Sequence, residues 1–382
     1  MSTITLPPPA ARPPAPSWAS LPWRSVMAGC SVAEWLFGAG AMWVGLAVLS
    51  SLPILQFLTL GYLLEAGARV ARTGKLGEGV IGIRLAARLG GMVGACFLLL
   101  LPVRLVSGLA GTAQIIDPGG PSVRAFRVGL LILIVLTYVH LAAACLRGGK
   151  LRYFLWPFNI VWLVRRMRRG GWYAESRDAV WEAFVSLRLG HYFWLGLRGF
   201  AAALAWLLLP VTLLVAGHAD PLLGWVGGLM LAVVATYLPF LQLRMAEQGR
   251  FRAAFEVGAV RADFQRAPFF FMSALVLVLA LALPLYLLKI ETVPAEAGWL
   301  PAMVFIAFIY PARLMVGWAM ARAKKREAPR HWAFRWIAWL PVLPAALFYT
   351  LIVYFTQFTS HNGVWSLYEQ HAFTLPVPFF GR

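Results

Sequence analysis

The sequence predicts an all-α fold, a polytopic transmembrane helical bundle of about eight membrane helices (seven to nine), with amphipathic interfacial helices in its cytoplasmic loops. Three observations predict it. Sixty per cent of the 382 residues are hydrophobic and 13% are charged, against roughly 25% charged in soluble domains. The apolar residues come in blocks of at least about 18, the length that crosses a bilayer core of about 30 Å. The Lys and Arg residues fall in alternate loops between these blocks, as insertion with basic loops in the cytoplasm requires.

Taken in chain order, residues 1–34 are rich in proline, with Pro7-Pro8-Pro9, Pro13-Pro14, Pro16 and Pro22. Such a run resists helix formation and is expected as a mobile tail. The apolar stretch after Glu34 is too long for a signal peptide and is read as a retained first membrane helix. The eight expected spans are 35–60, 89–110, 128–146, 191–216, 222–243, 268–288, 299–321 and 336–358. Residues 35–358 form the membrane domain, with a basic cytoplasmic loop at 147–190 and an aromatic tail at 359–382. Ser50, Ser51 and Pro53 interrupt the first block. It therefore reads either as one helix with the amino terminus outside or as a re-entrant hairpin with the tail in the cytoplasm, because proline frees backbone groups that need partners.

Of the 34 Lys and Arg, 25 fall in the first, third, fifth and seventh loops and six on the opposite side. This split orients the chain in a cell membrane. In a soluble protein a net charge of +19 would suggest nucleic acid. Its confinement to loops points instead to anionic lipid headgroups as partners, with membrane proteins as further partners and no nucleic acid. Cys30, Cys96 and Cys145 are widely separated, and neither a disulfide framework nor a metal centre is expected.

The remaining three basic residues, Arg104, Arg198 and Arg313, fall within spans and are the candidate intramembrane polar site. Arg104 and Arg198 lie near span ends, where their guanidinium groups can snorkel to the interface. Arg313 is deeper and follows Pro311, so it is expected to donate to carbonyls the proline frees, as structural glue or as an anion or headgroup site. Every Asp and Glu is read as lying in a loop or at a helix end, which argues against a buried carboxylate relay.

Residues 151–169 join an aromatic and aliphatic body to Arg165, Arg166, Arg168 and Arg169, the candidate contact with anionic lipid. A loop helix over 174–187 carries Glu175, Asp178 and Glu182, which fit a solvated face or salt bridges to the loop arginines. Arg252 and Glu256 read as a helical ion pair. His140 and His191 are expected in packing or at the interface, and His361 and His371 in the aromatic outer tail. No phosphate-binding loop, His-Glu-x-x-His or Gly-x-Ser-x-Gly elbow occurs, so neither an enzyme nor a cofactor is expected.

Leu52-Pro53-Ile54-Leu55-Gln56 and Leu238-Pro239-Phe240-Leu241-Gln242 echo each other, as do Pro102 and Pro284. A four-plus-four duplication would produce these matches; so would chance in a chain with 25 prolines. Over residues 53–75, Leu60-Gly61-Tyr62-Leu63-Leu64-Glu65, then Arg69 and Arg72 before Thr73-Gly74-Lys75, resemble the Gly-Tyr-centred pattern of the bacterial and archaeal membrane family called domain of unknown function 4013. The family's Leu-Pro after the basic turn is replaced here by Lys75-Leu76-Gly77-Glu78. The resemblance implies a helical membrane fold and no activity. The expectation is a non-enzymatic scaffold or accessory subunit with a basic, lipid-contacting cytoplasmic face. A transporter or lipid-handling permease built from two four-helix halves is the alternative.

Overall fold

The computed structural model describes residues 21–287, 299–360 and 363–368. The expected tail at 1–20 lies outside these residues, as do His361, His371 and most of 359–382. Among the described residues the chain is helical with no strand. Eight helices are long and apolar enough to cross a membrane, as the blocks of the sequence require: α1 (Leu21–Ser51), α3 (Ile83–Ile116), α4 (Pro121–Leu146), α8 (Leu189–Ala216), α9 (Pro221–Gln248), α11 (Pro268–Leu287), α12 (Trp299–Lys324) and α13 (Trp332–Thr359). The protein is an all-α, multi-pass membrane bundle. Between these spans lie α2 (Gln56–Thr73) and the loop helices α5 (Leu151–Phe154), α6 (Asn159–Arg169), α7 (Trp172–Ser186) and α10 (Val257–Arg266).

The first apolar block is a hairpin. Pro53 has no N–H to continue the ladder, Ser50 and Ser51 turn their hydroxyls onto the carbonyls of Ala47 and Val48, and Ile54 adopts φ +70°, an outlier for a β-branched residue. The chain then returns. Thr59 Oγ1 donates to Leu46 O at 3.2 Å, and the Tyr62 hydroxyl lies 2.8 Å from Met42 Sδ, a register only antiparallel helices produce. The reading of 35–60 as a single helix is therefore corrected. The tail boundary moves too: α1 begins at Leu21, because Pro22 sits in the first turn, where a proline costs no hydrogen bond.

The hairpin settles which end of the bundle holds the start of α1. A Cβ on Gly38 would meet Ile83 O at the start of α3, and one on Gly90 would meet Ala41. The stretch of α1 from Ser31 to Gly38 therefore lies beside the start of α3, at the basic loop that follows α2. A single cysteine at Glu34, an exposed position, with Cys30, Cys96 and Cys145 replaced, is expected to react with an impermeant thiol reagent from the same side as one at Gly77. Labelling from opposite sides would contradict the hairpin.

The main core joins α1, α2, α8, α9, α11, α12 and α13, with α2 at its centre, packed on α8, α12 and α9. Apolar matching cannot hold helices together in lipid, so close approach of small residues must. Gly61 lies against the backbone of Tyr192 and Gly196 on α8, and Gly67 against Leu243 and the Arg313 carbonyl, while Gly317 on α12 meets the Gly67 carbonyl. A smaller core of Ala95, Leu141, Ala144 and Phe154 ties α3, α4 and α5 together. This α3–α4 unit packs on α1.

Candidate functional site at the basic end

The helices α2, α9 and α12 finish at the basic end, and buried charge gathers along their second halves. Glu65 stands midway along α2 with Arg69 and Arg72 at i+4 and i+7, one helical face. Its carboxylate is buried and accepts from Arg72 Nη2 at 2.7 Å and Arg69 Nε at 3.3 Å, while His191 Nε2 lies 3.6 Å away. One expectation is corrected here. Glu65 is an interior carboxylate, because the α1 turn converts the end of a span into a central helix; His191, 42% exposed, stands at the edge of its network.

The network extends across helix ends. Arg72 Nη1 donates to Glu247 O at 3.4 Å. Lys324 Nζ donates to Ala71 O at 3.2 Å and pairs with Glu247. Arg198 Nη1 donates to Gly249 O at 3.4 Å. Each cation meets the negative end of a helix dipole. Arg104 is exposed on α3, away from this network.

Arg313 is 3% exposed, and its Nη1 and Nη2 meet no hydrogen-bond partner among the described residues. The expectation that it donates to carbonyls freed by Pro311 is therefore corrected: both terminal nitrogens miss them. Near it on α12, the Tyr310 hydroxyl donates to Gly79 O at 3.0 Å, and the Tyr310 ring stacks on Tyr62, whose hydroxyl reaches Ile81 O at 2.9 Å. The two tyrosines pin the 3-10 turn Leu76–Gly79.

This corner has a counterpart. α2 ends on Gly74 at φ +75°, Lys75 is extended, and the 3-10 turn follows; α9 ends on Gly249 at φ +69°, Arg250 is extended, and the 3-10 turn Phe251–Phe255 follows. Glycine takes that left-handed position without strain. The second corner is pinned by Trp206 Nε1, which donates to Ala254 O at 3.0 Å. The Leu-Pro echo does not mark this repeat, because Pro53 lies in the α1–α2 turn while Pro239 lies inside α9.

A second ion cluster follows the α9 corner. Arg244 Nε holds Glu256 at 2.9 Å and Arg244 Nη1 reaches Asp263 at 3.5 Å, with Arg266 Nη1 at 3.2 Å from Asp263. The Arg244 hydrogen bond lowers the Glu256 carboxyl from its ordinary value. Burial raises that of Asp263, against the pull of its arginines. The expected Arg252–Glu256 helical pair is replaced because residues 251–255 are a 3-10 turn, which carries Glu256 to Arg244 and Arg250 instead.

Comparison with family models, with curated proteins and with solved structures finds no match for this chain. Among the described residues no group of His, Cys, Asp and Glu could hold a metal ion.

The third basic feature is the arm between α4 and α8. Arg165, Arg168 and Arg169 are exposed on α6, while Arg166 pairs with Glu175 on α7 and its guanidinium lies 5.2 Å from the Trp162 ring. Arg147 anchors the arm, donating to Asn159 Oδ1 at 2.8 Å, and His140 Nε2 lies 2.9 Å from Phe154 O. Beyond these contacts Leu155, Phe158, Val161, Val164 and Met167, with Trp181 and Phe184 on α7, stand exposed. The four arginines are thus brought together on one arm, while Arg104, Arg198 and Arg313 are not brought to one place. The sequence reading missed the Glu65 network; its signal was the Glu65, Arg69, Arg72 spacing.

Proposed function

We propose that the protein is a non-enzymatic scaffold or accessory subunit of a cell membrane, whose basic loops face the cytoplasm and bind anionic lipid headgroups. The observation that carries this reading is the α6–α7 arm, where exposed apolar side chains flank Arg165, Arg166, Arg168 and Arg169. A helix of this kind lies in the interface plane, its apolar face in the acyl boundary and its cations among headgroups, each contributing about 1 kcal/mol near an anionic surface. Membership of the domain of unknown function 4013 family is proposed on residues 53–75 alone, the stretch that builds α2 and its corner.

The test uses the full-length protein in nanodiscs. In discs containing phosphatidylglycerol, amide hydrogen exchange across 159–186 is expected to slow relative to phosphatidylcholine discs. The difference should disappear when the four arginines are changed to glutamine. Equal exchange in the two lipids would reject the lipid-contacting arm.

A permease is the second reading. It is favoured by the buried Glu65 carboxylate beside the part-exposed His191, since ionisable residues inside the bundle mark ion pathways in transporters.

A further inference from the structure

On the lipid-facing side of the basic end, α9, α10, α11 and α13 enclose a groove of about 650 Å³. Its floor is a set of touching aromatic rings. Phe240 stacks on Phe271 at 4.4 Å, Phe264 meets Phe271 edge-on at 6.2 Å, and Trp339 lies 5.2 Å from Phe264. Its rim carries Arg261 from α10 and Arg335 from α13, and no acidic residue lines it among the described residues.

The two acids of the α9–α10 corner are already engaged. Glu256 pairs with Arg244 and Arg250, and Asp263 with Arg244 and Arg266. Arg261 is exposed and Arg335 half-buried, and neither forms a hydrogen bond or ion pair among the described residues. From Arg335 the groove continues along α13 to Leu343, eight residues or about 12 Å deeper at 1.5 Å per residue. Two uncompensated cations at the interface therefore stand above an apolar slot that enters the membrane region, and Trp332 and Trp336 flank the entrance at the depth where indole rings settle.

We propose that this groove is a discrete site for one anionic phospholipid, its phosphate between Arg261 and Arg335 and an acyl chain along Phe240, Leu275 and Leu343. Charge and shape together select this occupant. A free phosphate would leave the slot empty, and a zwitterionic lipid would bring a third cation to the arginine pair. The site rests on the same reading of the basic face as the α6–α7 arm but uses none of the arm's residues.

Native mass spectrometry of the full-length protein tests it, after equilibration with phosphatidylglycerol or phosphatidylcholine of the same acyl chains. The wild-type protein is expected to hold one phosphatidylglycerol at a collision energy that strips the others, with phosphatidylcholine lost throughout. Arg261→Gln with Arg335→Gln should weaken that retention about tenfold or more, from roughly 1 kcal/mol per arginine. Leu343→Trp, at an exposed position, keeps both arginines but fills the slot, and should also release the lipid. This second variant decides the matter if the arginine pair yields no folded protein.

Changing Arg165, Arg166, Arg168 and Arg169 to glutamine should leave the tightly held lipid in place, so failure of the groove and failure of the arm are separable. Equal retention of the two lipids by the wild-type protein, or unchanged phosphatidylglycerol retention in both groove variants, would overturn the site. Displacement of the lipid by inorganic phosphate alone would overturn the acyl slot.

Discussion

Gly61→Ala is expected to separate α2 from α8 and leave no monodisperse protein after detergent extraction. A Cβ at this position would stand 1.8 Å from the Tyr192 carbonyl oxygen and 2.9 Å from the Gly196 nitrogen. Both obstacles are backbone, which cannot rotate away, so the helices must move apart along their whole crossing. Overpacking a core costs about 1–3 kcal/mol when side chains can adjust; with backbone on both sides the upper end or more applies. The reciprocal change, Gly196→Ala, meets Phe57 O at 1.9 Å and should behave the same way. Gly45→Ala is the control, since nothing lies within 4 Å of its Cβ, and it should change the melting temperature little. Size-exclusion profiles and thermal melts of the three variants check the expectation, and a normal profile for Gly61→Ala would show that the α2–α8 crossing is looser than described.

Glu65→Leu is the second large effect. It removes the carboxylate shared by Arg72, Arg69 and His191 and leaves part-buried cations without their counter-charge. Removing one partner of a buried pair costs about 3–5 kcal/mol. Because the two arginine side chains are 34% and 40% exposed and can turn toward water, about 3 kcal/mol is the fitting figure here. The double variant Glu65→Leu with Arg72→Leu should recover part of the loss, since replacing a pair by apolar groups is far milder than breaking it. Melting temperatures of the purified single and double variants measure this. Glu65→Gln lowers stability under either functional reading, because both arginines lose their carboxylate; the readings separate on flux, since only an ion-coupled carrier would also lose proton-dependent flux in vesicles.

These two residues show where sequence reasoning reached and where it stopped. The number of long apolar helices was legible, because span length is set by bilayer thickness and counts directly along the chain. Seven of the eight spans fall inside or within a residue of their helices. The exception is the block containing Pro53, where one dihedral choice at Ile54 decides between continuing and turning back. Hydropathy is blind to that choice, since both branches are equally apolar. The status of Glu65 followed from it: next to a span end it reads as a loop-side acid, and inside a returning helix it becomes the centre of the ion network. The α6 arginines were legible because an amphipathic segment carries its own periodicity. The groove was not, since Arg261 and Arg335 lie 74 positions apart in the numbering and only packing brings α10 against α13.

By itself the sequence determined that this chain is an all-α membrane bundle with its cations gathered at one end, because lipid solvation imposes length and composition on every span independently of its neighbours. Only the tertiary structure decided that α2 returns through the centre, that Gly61, Gly67, Gly196 and Gly317 are contact points, and that Arg313 Nη1 and Nη2 end without a partner among the described residues. Those facts depend on which helix faces which, and helices that are apolar all round carry almost no facing signal. In lipid their pairing is chosen by small residues meeting backbone to backbone, a match that exists only once both helices are in place.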